Sequence, residues 1–188
     1  MTHVLVSGEE NHVAEVAEAL RRRGATVTEV TDLAQVPQAC STAGEGAFDG
    51  YVQLAAAFRM EGSTAVQRVR HFYANGVLAR FSALDAARAA LASPASVVFV
   101  LGPLPPEMTT DDDRTARAAL TGVLGRAARS DAAPGELTIR VLDADAEADR
   151  IAALALGQTP PPREEPRLAE MSLEDWRMEL MSVVLVET

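Results

Sequence analysis

Two stretches decide the fold: His3-Val4-Leu5-Val6-Ser7-Gly8, and further on Arg23-Gly24-Ala25-Thr26-Val27-Thr28-Glu29-Val30. The first is a short apolar run that ends in a polar turn, Ser7-Gly8-Glu9-Glu10-Asn11. Between the two, Val13, Val16, Ala17 and Leu20 recur at the spacing of one helix face. Arg21, Arg22 and Arg23 then suit the negative end of the helix dipole, and Gly24 stops the helix. Residues 25–30 are rich in β-branched side chains and read as a second strand. Strand, helix, strand at this spacing is a βαβ unit, which commits the two strands to run parallel.

The alternation continues along the chain. Thr31-Asp32 can cap a short helical piece over 33–40. After a glycine-bearing loop at 44–46, residues 51–56 read as a third strand, with Tyr51 opening it and facing the core or its rim. A long helix is expected over 63–91, with a soft point at Asn75-Gly76. Residues 96–101 form an unbroken apolar run, the pattern of a parallel strand buried on both faces. Asp111-Asp112-Asp113 crowds the start of another helix reaching Arg129, where acids are favoured. Residues 137–142 are a fifth strand and 146–156 a last helix. The expected class is α/β, a Rossmann-like doubly wound parallel sheet of about five strands.

The 188 residues divide accordingly into a Rossmann-like domain over 1–157, a proline-rich linker over 158–167 and an amphipathic helical tail over 168–188. The linker run Thr-Pro-Pro-Pro-Arg-Glu-Glu-Pro cannot be helix or central strand. In the tail, Ser172 can cap a helix that carries the single Trp, Trp176, beside Met171, Met178, Leu180 and Met181. Such a segment has to bury its apolar side, either on its own domain or on another chain.

Composition excludes several chemistries. The net charge is −10 and all 17 cations are arginine, so there is no lysine for a Schiff base or a phosphate loop. An acidic chain is a poor match for a nucleic-acid backbone, whose binding runs on clustered cations. Cys40 is the only cysteine, which rules out an internal disulfide and a thiolate metal cluster. His3, His12 and His71 are too scattered for a metal site, and acidic runs such as Glu9/Glu10, Asp111 to Asp113 and Glu164/Glu165 read as solvated helix starts or linker. No metal is expected. No run is long and apolar enough to cross a membrane, and the first residues lack the pattern of a secretory leader, so a cytoplasmic location is expected.

With these elements in order, residues 3–157 resemble the short-chain dehydrogenase/reductase family. Val4-Leu5-Val6-Ser7-Gly8, the helix after it and Arg23-Gly24-Ala25-Thr26-Val27 are similar to that family's first βαβ unit. Asn75 falls where the family carries its helix asparagine, and residues 97–101 fall where its serine-bearing strand lies. Residues 117–122 are similar to its lysine-bearing helix. The resemblance implies NAD(P) as cofactor, Ser7 and Gly8 at the pyrophosphate turn, and Asp32 where an acidic residue meets an adenosine ribose.

The departures from that pattern fall on the functional residues. Only Gly8 survives from the glycine-rich turn, and Glu9, Glu10, Asn11 and His12 take the other places. Gly102 stands for the catalytic serine, Asp113 for the tyrosine and Arg117 for the lysine, which leaves Asn75 as the only match to the tetrad. Asp113 cannot donate a proton as a phenol does, and Arg117 holds its proton too tightly to lend it. The segment between the second strand and Tyr51 is too short for the helix, strand and helix usually found there, which removes a wall of the adenine pocket. These positions therefore predict a catalytically degenerate protein without a bound cofactor, acting as an oligomerising or auxiliary subunit. Its partners would be copies of itself or a genuine reductase of the same family. The helices over 63–91 and 113–129 correspond to the family's dimerising helices, and Ala86, Ala87, Ala89, Ala90, Ala118 and Ala119 would allow close helix approach. The alternatives are an active NAD(P)-dependent oxidoreductase with a remodelled site, whose acid would have to be Tyr51 or Tyr73, and a nucleotide or acyl-ligand sensor.

Overall fold

A computed structural model describes residues 2–8, 10–54, 61–71, 74, 78–100, 135–142 and 146–160. Within them five strands form one parallel sheet: β1 (His3–Ser7), β2 (Thr26–Val30), β3 (Phe48–Leu54), β4 (Leu91–Val100) and β5 (Leu137–Leu142). The spatial order is β2-β1-β3-β4-β5. The helices are α1 (Glu10–Arg22), α2 (Val36–Ala43), α3 (Ala65–His71), α4 (Ala79–Ala90) and α5 (Ala148–Ala155), with a 3-10 turn at Leu33–Gln35 before α2. The expected α/β class and the doubly wound parallel sheet are what the chain adopts.

Each face of the sheet is covered by a pair of helices, because the strands are apolar on both sides. On one face Val4, Val6, Val52, Leu54, Val98 and Val100 meet Val13, Val16 and Leu20 of α1 and Ile151, Ala152 and Ala155 of α5. On the other, Leu5, Tyr51, Val97, Phe99 and Ile139 meet Val36 and Cys40 of α2 and Ala83, Leu84, Ala87 and Ala90 of α4. Full burial of each larger aliphatic side chain contributes about 1.5–3 kcal/mol.

The α5 helix settles close to the sheet because two small residues lie beneath it. Gly50 and Ser96 are neighbours in register. A Cβ at Gly50 would meet the Ala155 carbonyl oxygen at 3.1 Å, and the Ser96 hydroxyl donates to the Leu154 carbonyl at 3.0 Å. That bond adds a side-chain donor to a helix-end carbonyl that also accepts the Gly157 N–H at 3.1 Å. At the rim of the same layer, Arg22 of α1 reaches Asp149 at 3.3 Å, and Arg23 donates to the side chain of Gln158 at 3.2 Å.

Three expectations need correction. The helix expected over 63–91 has different bounds: its described parts are α3 (Ala65–His71) and α4 (Ala79–Ala90), and Leu91 already belongs to β4. Strand β4 starts five residues ahead of the apolar run that marks it in the sequence. Its pairing with β3 slips between Phe48/Leu91 and Gly50/Ser96, and Pro94, which has no N–H for a ladder, lies in the slipped stretch. Tyr51 does not open its strand, since β3 begins at Phe48. Of the alanines assigned to close helix approach, Ala87 and Ala90 are buried in the chain's own core and Ala89 is exposed. Ala118, Ala119, the helix over 113–129, Tyr73, the tail over 168–188 and the linker past Pro160 lie outside the described residues.

Candidate functional site

The strand order reverses between β1 and β3, and the helices that follow them in the chain, α1 and α4, cover opposite faces of the sheet. In an open α/β sheet the crevice at such a reversal, outside the carboxyl ends of the strands, is where ligands bind. Gly8 forms the exit from β1. Its φ is +151°, and its N–H donates to the Val30 carbonyl at 3.1 Å. A Cβ there would approach the Leu54 Cβ to 2.6 Å and the Leu54 carbonyl oxygen to 2.8 Å. Both the backbone conformation and the end of β3 demand glycine. Helix α1 follows at once, with the carboxylate of Glu10 in its first turn.

Beneath this turn lies a closed polar cluster. Ser7 pairs with Gln53 across the β1–β3 ladder, and Tyr51 stands two residues before Gln53. The Ser7 hydroxyl and the Tyr51 phenol are 2.9 Å apart. Gln53 Nε2 donates to the phenol oxygen at 3.1 Å and to the Arg80 carbonyl, in the first turn of α4, at 3.2 Å. A carbonyl can only accept, so Nε2 is correctly placed as the donor at that end. The phenol oxygen accepts from Gln53, and in its bond with Ser7 either hydroxyl can be the donor. All three side chains are enclosed: Ser7 and Tyr51 expose nothing and Gln53 only 2%. Burial pushes the Tyr51 phenol up to about 12, an effect that its hydrogen bonds to Ser7 and Gln53 only partly offset. Cys40 of α2 lines the same core layer, and burial raises its thiol as well.

Of the residues singled out in the sequence, Ser7 and Gly8 stand at the crevice, but with their side-chain space taken up by the protein itself. Asp32 lies beyond the end of β2, exposed, where Oδ1 accepts the Ala34 N–H at 2.9 Å and caps the 3-10 turn. Asn75, Gly102, Asp113, Arg117 and Glu9 lie outside the described residues. Gln53 was not singled out. Its signal was available as the one amide in the strand, two residues after Tyr51.

A second concavity of about 410 Å³ lies at the opposite edge of the sheet, toward the amino-terminal ends of β3, β4 and β5. Asp49, Ser96, Thr138, Arg140, Leu156 and Gln158 are among its lining residues. Among the described residues, no group of three His, Cys, Asp or Glu side chains could hold a metal ion. No helix among them is long and apolar enough to cross a membrane.

Solved structures share this architecture. The protein lin1944 of Listeria innocua superposes with a TM-score of 0.58 at 13% identity, over 85% of this chain and 96% of that one. A short-chain dehydrogenase/reductase of Serratia marcescens, in a doubly substituted form, gives 0.53 at 15% identity, over 85% and 89%. BdcA of E. coli gives 0.51 at 14%, over 85% and 91%. At these identities the likeness is one of fold, and the fold is that of short-chain dehydrogenases. No protein-family model matches the chain, and no curated protein does either.

Proposed function

We propose that this chain uses a short-chain dehydrogenase scaffold without its chemistry, as an oligomerising or auxiliary subunit. The observation that supports the reading is the make-up of the turn at the switch point. Ser7 turns its hydroxyl down onto Tyr51, Gly8 abuts Leu54, and Glu10 places a carboxylate at the positive end of α1. That helix end is where a pyrophosphate would sit. A carboxylate at contact range opposes such a ligand by on the order of 1 kcal/mol even in water. Glu9, next to it in sequence, adds a second negative charge to the turn.

The sequence departures at Gly102, Asp113 and Arg117 point the same way, since none of the three can do the work of the serine, tyrosine or lysine it replaces. An active enzyme would need another acid. Tyr51 is sealed in the core with its phenol held near 12, which makes it a poor proton donor to a substrate. The association half of the reading rests on the segment between β3 and β4, which corresponds to the family's dimerising region. There Val66 and Leu78 are exposed by 65% and 59%.

The test joins binding and mass. Isothermal titration of the full chain with NAD and NADP is expected to give no micromolar binding, and light scattering is expected to give a mass above that of one chain. A chain ending at Gly157 is expected to lose oligomer order or to aggregate. Micromolar cofactor binding, or steady NAD(P)H consumption with a ketone substrate, would overturn the non-catalytic reading. An unchanged mass and melting temperature after truncation would remove the tail from the interface.

A further inference from the structure

We draw no further inference here: the strongest candidate, the open groove at the amino-terminal ends of the strands between Asp49, Thr138, Arg140 and Gln158, carries nothing because nothing in the structure shows what covers it.

Discussion

Ser7 and Tyr51, 44 positions apart in the chain, place their oxygens 2.9 Å from each other inside the sheet with no exposure to solvent. The pair fastens the end of β1 to the middle of β3, and through Gln53 to the first turn of α4. Replacing Tyr51 by Phe keeps the ring and removes the bond, so Ser7 loses a partner and Gln53 loses an acceptor. The expected cost is about 1–3 kcal/mol for the groups left unpaired in the core. Ser7→Ala should cost less, because its small cavity strands fewer donors. In a urea-unfolding double-mutant cycle the two effects should fall short of additive. Strict additivity would mean that the hydroxyls do not interact.

Alkaline pH should expose the same cluster. The phenol of Tyr51 is raised from 10 to about 12 in the folded chain, so between those values the folded state holds a proton that the unfolded state has released. Stability from this group is therefore complete below about pH 10 and is lost as pH rises toward 12. A shift of this size corresponds to a few kcal/mol, at about 1.4 kcal/mol per pH unit. Melting temperature should fall over that window in the natural chain and fall less in Tyr51→Phe. Equal slopes in the two proteins would argue that the phenol titrates freely.

Gly8→Ala separates packing from ligand binding at the turn. The substitution forces a side chain into a positive-φ position and against Leu54. A loss of about 1–3 kcal/mol in the ligand-free protein is expected from strain of this kind. Thermal unfolding without any added nucleotide reads it directly. A fully stable variant would show that the end of β3 yields and that the glycine is not held there by contact.

Glu9→Gly together with Glu10→Gly tests the electrostatic argument. Removing two carboxylates from the start of α1 restores the positive helix end for an anion. Cofactor affinity by titration calorimetry should rise relative to the natural chain, and the gain should shrink with added salt. No gain in affinity would mean that charge at the turn is not what keeps the dinucleotide out.

How much of this could be read beforehand depends on whether the signal was local. β5 carries its whole pattern in six consecutive residues, and the bounds read from sequence match those observed. Helix α1 was equally plain, since Val13, Val16, Ala17 and Leu20 all turn out buried. The start of β4 was hidden because Leu91 to Ala95 is an irregular stretch held by pairing with β3 and by the Ala95 N–H donating to Glu136. Such partners are distant in sequence. The same holds for the polar cluster: Tyr51, Gln53 and Ser7 each look ordinary alone, and only the β1–β3 register brings them together. Asp32 was legible in both its readings, and the structure gives it the cap.

The pairing of α1 with α5 also governs when the protein can be finished. Val16, Ala19 and Leu20 share their core layer with Ile151, Ala152 and Ala155, and Arg22 meets Asp149 across 127 positions of chain. A chain emerging from the ribosome makes α1 almost at once, yet its covering helix is among the last described segments to be synthesised. Through most of translation that greasy flank has no native cover, and closing it requires the sheet to assemble outward from β1 through β3 and β4 first. Contacts of such long range slow folding and prolong the exposure of sticky surface. The burden falls on synthesis, so loss of α5 should show itself first as poor yield from cells and only afterwards as a weaker finished protein.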